Sequence, residues 1–329
     1  MDTTALNERI GAAAGGSGDR RIVVGLDGSP GARDALVWAL AAAARSGSDL
    51  EVVAAFPVDF YWTDPYLLDT RRIDTIRSDT EARARAFVAE ALSDPEVAAL
   101  PLASAVPIEF VVVAGAPADY LVQRSDGAEL LVVGSRGRGG VRSTLLGSVA
   151  LHCSTHARCP VGVVHPSLRP ASARVVVGID DSAVSRAALV RAVEEAARLG
   201  CEVEAVVAYQ ALDYWSDMYA VMAPPLGEAH EQARRRAEGI VAEVLGDAAE
   251  AGVRVVADRG PAGDVLARQA EGAVLLVVGS RSRSRLEGML LGSVALHCVV
   301  HAHCPVMVVH PEPAVRAAAG AAEAGVTGG

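Results

Sequence analysis

The stretch "RIVVGLDGSPGARDALVWALAAAARSGS", residues 21–48, decides the fold. A short β-branched run ends in a Gly-containing turn at "GLDGS". The turn opens onto a helix, for which Ser29 is the expected N-cap, Pro30 suits the first turn and Gly47 marks the exit. Working outward, "LEVVAAF" is a second strand and roughly Thr70 to Leu92 a helix. "IEFVVVA" is a third strand, followed by a helix begun by "GAPADYLVQRS". "AELLVVGS" is a fourth strand, then come a helix from Ser148 and a final strand in "CPVGVVH". Short runs that are apolar on both faces and alternate with helices call for a parallel sheet covered on both sides, which is a doubly wound α/β domain.

The pattern occurs twice. "RRIVVGLDGSPGARDALVWAL" from Arg20 matches "ARVVVGIDDSAVSRAALVRAV" from Ala173, an offset of 153 (27 to 180). "LLGSVALHCSTHARCPVGVVHP" from Leu145 matches "LLGSVALHCVVHAHCPVMVVHP" from Leu290, an offset of 145 (145 to 290). The smaller second offset places a net deletion in the middle of the second copy, where connecting segments tolerate change. Strands in that copy are expected near Val175, Val203, Val253, Ala273 and Pro305. The expected organisation is therefore a disordered tail over 1–19, a first domain over 20–166, a linker over 167–173 within "PSLRPASA", a second domain over 174–312 and a disordered Ala/Gly-rich tail over 313–329.

Composition narrows the function classes. The 329 residues carry a net charge of −10, which argues against nucleic-acid or anionic-membrane binding. The apolar fraction is 51 %, but no run reaches the about eighteen uninterrupted apolar residues of a membrane span, and the N-terminal stretch lacks the apolar segment of a signal peptide. The expectation is a cytoplasmic protein. Five cysteines, an odd number, point to reduced thiols rather than a disulfide framework.

In an open parallel sheet, ligands sit beyond the carboxyl ends of the strands, where strand order reverses. For the order 3-2-1-4-5 that point lies between strands one and four, which end in "GLDGS" and in "VVGSRGRGGVRSTLLGSVALH", Val132 to His152. Gly134 and Gly137 permit close backbone approach to a ligand. Gly147 and Ser148 place a hydroxyl and unpaired amides at a helix N-terminus, which attracts phosphate. Asp27 is an acceptor suited to a ribose hydroxyl, and Arg136, Arg138 and Arg142 make a local basic cluster. The loop has no G-K-[ST], and no G-x-G-x-x-G follows the first strand, so a nucleotide holder with little turnover fits better than an NTPase or a dinucleotide enzyme.

Gly134-x2-Gly137-x9-Gly147-Ser148 after a strand, paired with the early "GLDGS", resembles the ATP-binding signature of the universal stress protein family. Between its tails the chain is similar to tandem, two-domain actinobacterial members with Rossmann-like sheets. The resemblance implies ATP, with Mg2+ held through the phosphates, a homodimer, and a regulatory role in stress survival or growth through a protein partner. It puts Asp27 on the ribose, Gly25 near the base, and Gly134, Gly137, Gly147, Ser148 and Val149 on the phosphates, with Arg136 and Arg138 adding charge. In the second copy Asp180, Gly279, Gly292 and Ser293 match. Ser282 stands where the signature has its second glycine, and Asp181 replaces the equivalent of Gly28. Two alternatives belong to other classes: a slow ATPase or phosphoryl or adenylyl transferase, and a nucleotide-independent scaffold.

Other clusters read as structure. His152, Cys153, His156 and Cys159, and again His297, Cys298, His301, His303 and Cys304, span a helix end and the start of a strand, where His suits the helix C-terminus and Cys packs as a small apolar group; no metal is expected. "YWTD" from Tyr61 and "YWSD" from Tyr214 are expected to pack a connection. "RRRAEGIVAEVLGDAAEAG" from Arg234 reads as an amphipathic helix with a solvated charged face.

Overall fold

A computed structural model describes residues 20–56, 70–137, 146–166, 171–210, 226–246, 252–281 and 291–311. The chain divides into two compact units, Met1–Ser167 and Leu168–Gly329. The two tails, both Tyr-Trp segments, Arg138, Arg142 and Ser282 lie outside the described residues.

In the first unit β1 (Arg21–Leu26) leads to α1 (Pro30–Ser46) and β2 (Asp49–Phe56), then α2 (Thr70–Leu92) and β3 (Ile108–Ala114). Next come α3 (Pro117–Arg124), β4 (Leu130–Gly134), α4 (Ser148–His156) and β5 (Val161–Val164). The strands are parallel in the order β3-β2-β1-β4-β5. α1 forms where its caps predict: the Ser29 hydroxyl accepts from the Ala32 amide at 3.1 Å, and Gly47 closes the helix with φ 68°. An L side chain at Gly47 would be strained, which is why the helix stops there.

The second unit repeats this design with β6 (Arg174–Gly178), α5 (Ala183–Leu199), β7 (Glu202–Tyr209), α6 (Leu226–Leu245) and β8 (Val253–Arg259). It closes with α7 (Ala262–Gln269), β9 (Leu275–Gly279), α8 (Ser293–His301) and β10 (Val306–Val309). Its order, β8-β7-β6-β9-β10, is again parallel. α6 begins eight residues before Arg234 (234 − 226) and ends at Leu245, short of the expected end. Gly246 takes φ 54°, where glycine terminates a helix. Its charged face is solvated: Arg234 pairs with Glu231 and Glu238, while Ala237, Ile240 and Val241 are buried.

Strands β1, β4 and β5 bury most of their residues, as a sheet covered on both faces requires. Leu36 and Leu40 of α1 are fully buried, as are Leu130 and Leu131 of β4, and each such side chain contributes about 1.5–3 kcal/mol. Packing is adjusted locally between the copies. A Cβ at Gly162 of β5 would lie 3.2 Å from the Trp38 ring of α1; the corresponding positions of the second copy carry Met307 and Arg191. A large helix residue sits over a bare strand position in the first unit, while the second has a side chain on the strand.

Four of the five cysteines are buried, and burial pushes Cys153, Cys298 and Cys304 up to about 12. His156 closes α4 with its Nδ1 3.0 Å from the His152 carbonyl oxygen, and His152 faces Asp119 of α3 at 3.0 Å. His297 and Asp264 repeat that pair at 2.9 Å. Among the described residues no group of His, Cys, Asp and Glu is arranged to hold a metal ion, and no helix is long and apolar enough to cross a membrane.

Candidate functional site

The parallel pairing of β1 with β4 brings their carboxyl ends side by side, with Val24 in register with Val132. β2 lies to one side of this pair and β5 to the other, so the connections leaving β1 and β4 face each other across the switch point.

The β1–α1 turn is built by its own side chains. Asp27 Oδ1 accepts from the Ser29 amide at 2.9 Å, and Gly28 takes φ 75°, which lets the chain double back into the helix. The loop after β4 is anchored at both ends. Ser135 donates its amide to the Val164 carbonyl at 2.8 Å, and Gly147 donates its amide to the Ser135 carbonyl, also at 2.8 Å. Residues 135 and 147 are thereby held together at the base of the loop.

Three glycines then bring the two connections into direct contact. A Cβ at Gly137 would lie 2.6 Å from Asp27 Oδ2, one at Gly134 would lie 2.5 Å from the Gly31 carbonyl oxygen, and one at Gly31 would lie 2.4 Å from the Arg136 carbonyl oxygen. Real Cβ atoms are not found that close, so hydrogen is the only substituent these positions accept without movement. Asp27, Gly134, Arg136 and Gly137 are thus gathered at one place. Gly147 joins them as the N-cap of α4, its own Cβ position 3.6 Å from Arg136 Cα. No side chain caps α4, so the helix opens at Ser148 and Val149 with first-turn amides that have no intrahelical partner. Arg136 and Gly137 are exposed. Gly25 has a different local duty: a Cβ on it would lie 2.9 Å from Leu121 Cδ1, so the glycine lets α3 approach β1.

Gly31 is the residue that sequence reading overlooked. A glycine in the first turn of an otherwise Ala-rich helix, replaced by Val184 in the second copy, was the available signal.

The second unit builds the same frame from altered parts. Asp180 Oδ1 accepts from the Ser182 amide at 2.9 Å and from the Ser182 hydroxyl at 2.5 Å. Ser280 donates to the Val309 carbonyl at 2.7 Å, and Gly292 donates to the Ser280 carbonyl at 2.7 Å and N-caps α8, which starts at Ser293 with no side-chain cap. The contacts around Gly279 differ from those around Gly134. Its Cβ position is 3.0 Å from Val184 Cγ1, a methyl for which the first unit has no counterpart. Asp181 replaces the left-handed Gly28 with a residue whose φ is not positive, and its carboxylate pairs with Arg186 and with Arg236 of α6.

Comparison with known proteins gives a consistent picture. The profile described as the universal stress protein family matches residues 19–165 and again 172–310. The chain is 36 % identical over 298 residues to a universal stress protein of Mycobacterium tuberculosis, covering 87 % of this chain and 96 % of that one. To a universal stress protein of Mycolicibacterium smegmatis it is 31 % identical over 301 residues, covering 88 % and 97 %. Among solved structures, a universal stress protein from Archaeoglobus fulgidus superimposes with a TM-score of 0.60 at 21 % identity, covering 90 % of this chain and 97 % of that one. At that identity the likeness bears on the fold alone.

Proposed function

The chain belongs to the universal stress protein family, and from that premise and the geometry of the first crevice we propose that it binds ATP there and acts as a nucleotide-dependent regulator. The observation that carries this reading is the interlock of Gly31, Gly134 and Gly137 with Asp27 at the carboxyl ends of β1 and β4, beside the uncapped N-terminus of α4. It offers a carboxylate, bare backbone and a positive helix end within one switch-point crevice, which are the three things a ribose with a phosphate chain needs.

In this reading Asp27 accepts from the ribose hydroxyls, and Gly25, one residue before the end of β1, lies near the base. Gly134, Gly137 and the amides of Gly147, Ser148 and Val149 surround the phosphates. Arg136, exposed at the mouth, adds charge, and Arg138 is proposed to add to it. Mg2+ comes with the phosphates and neutralises part of their charge. ATP is a ligand rather than a substrate: bound phosphates fix the loop after β4, and occupancy sets the surface offered to a regulatory partner or to a second copy of the chain. This surface is how the nucleotide state would act on stress survival or growth.

The test is titration of the full chain with ATP and Mg2+, with circular dichroism as the fold control. Removing the acceptor in Asp27→Ala is expected to weaken binding about tenfold or more, the value of a hydrogen bond to a charged group, and Gly134→Ala is expected to weaken it by forcing β4 away from α1. Native affinity in both folded variants would refute the site, and a flat titration of the native chain would refute the function.

A further inference from the structure

The two crevices share a frame but not a floor, and the differences fall where the backbones meet. We infer that the chain holds one nucleotide, in the first crevice, and that the residue pairs 31/184 and 137/282 decide which crevice is competent. The inference rests on the nucleotide reading above and adds a stoichiometry and its determinants.

In the first unit a Cβ at Gly31 would lie 2.4 Å from the Arg136 carbonyl oxygen, a backbone atom, and one at Gly137 would lie 2.6 Å from Asp27 Oδ2 and push that carboxylate aside. The second copy carries a Cβ at both places, Val184 for Gly31 and Ser282 for Gly137. Val184 is also β-branched, and its Cγ1 stands 3.0 Å from where a Cβ on Gly279, at the end of β9, would lie. A backbone arrangement like that of the first crevice therefore cannot form there without moving the helix start or the loop.

The turn after β6 differs in the same direction. Gly28 reaches its fold-back through a left-handed φ, which Asp181 does not adopt. Asp181 is instead tied to α6 through Arg236 and bridged by Arg186, whose other partner is Glu243 on that helix at 2.9 Å. Asp180 meanwhile spends one carboxylate oxygen on two donors of Ser182. Arg33 of α1 makes the matching pair with Glu90 of α2 at 3.3 Å, so the tie peculiar to the second turn is that of Asp181 to Arg236, where the first unit has Gly28 and no side chain.

The experiment is equilibrium dialysis of the full chain against ATP with Mg2+, reading affinity and moles bound per chain, with thermal unfolding to show that each variant folds. The native chain is expected to bind one ATP. Gly31→Val with Gly137→Ser is expected to weaken that site about tenfold or more, and Val184→Gly with Ser282→Gly in the native background is expected to raise the stoichiometry to two. Two sites of equal affinity in the native chain would overturn the inference while leaving the nucleotide reading standing. Binding that survives the first pair of substitutions would also overturn it. No binding by the native chain would overturn the nucleotide reading, and this inference with it.

Discussion

Replacing Arg124 of α3 by Gln is expected to unfold the first unit early, and replacing Glu109 by Arg in the same chain is expected to restore it. Glu51 of β2 is 1 % exposed, and Arg124 grips it through both side-chain ends, with Nε 2.7 Å from Oε1. Arg21 adds a weaker approach at 3.5 Å. Glu109 lies opposite Glu51 in the β2–β3 register, so two carboxylates share these guanidinium groups. Stripping one partner from a buried ion pair costs about 3–5 kcal/mol; the remaining Arg21 holds the Arg124→Gln loss near the lower end, about 3 kcal/mol. For a unit of this size that lowers the midpoint by about 6–12 °C.

The second unit supplies the remedy. At the positions of Glu51, Glu109 and Arg124 it has Glu204, Arg254 and Gln269, and Arg254 reaches Glu204 directly across the β7–β8 register. The cation has moved from helix to strand. Arg124→Gln with Glu109→Arg rebuilds that arrangement and is expected to return within about 1 kcal/mol of the native chain, a strongly non-additive pair. Scanning calorimetry of the full chain, with hydrogen exchange on β2 to assign the transition, reads both variants. Arg124→Gln melting at the native midpoint would refute the reasoning, and so would a double variant no more stable than the single one.

Two further outcomes follow from burial. Burial first, and then the neighbouring Glu51, hold the Glu109 carboxyl above its ordinary range. Between its unfolded and its raised folded value the folded state binds more protons, so its stability falls as pH rises through that window. Glu109→Gln is therefore expected to stabilise the chain at neutral pH, with the gain over native shrinking as pH drops towards about 4 in urea melts; a gain that grows on acidification would contradict the assignment. Partial burial raises the Cys201 thiol as well, but less far than Cys153, Cys298 and Cys304, which burial pushes up to about 12, leaving about one thiolate in ten thousand of these at pH 8. An aromatic disulfide reagent should label Cys201 quickly and the others only on unfolding, and a fast phase that survives Cys201→Ser would refute this.

Much of the fold was legible because its signals are local. Ser29 and Gly47 bracket α1 through a cap and a left-handed exit, each acting within a few residues of itself. The β4–α4 loop could be assigned to the switch point from strand order alone. The end of α6 was misread because apolar periodicity continues past Leu245, while Gly246 ends the helix through its backbone. Gly31 went unnoticed for another reason: its importance comes from a carbonyl 105 residues away (136 − 31), at Arg136.

By itself the sequence determined a duplicated, doubly wound α/β chain and the crevice in each copy, because alternating strand and helix signals, caps and repeat spacing are short-range properties that survive without contacts. Only the tertiary structure decided how closely the connections approach within each crevice, which glycines are obligatory there, and how Glu51 and Glu204 find different cations. Those depend on where distant backbones come to rest, and a Cβ is harmless or prohibitive according to atoms that lie far away along the chain.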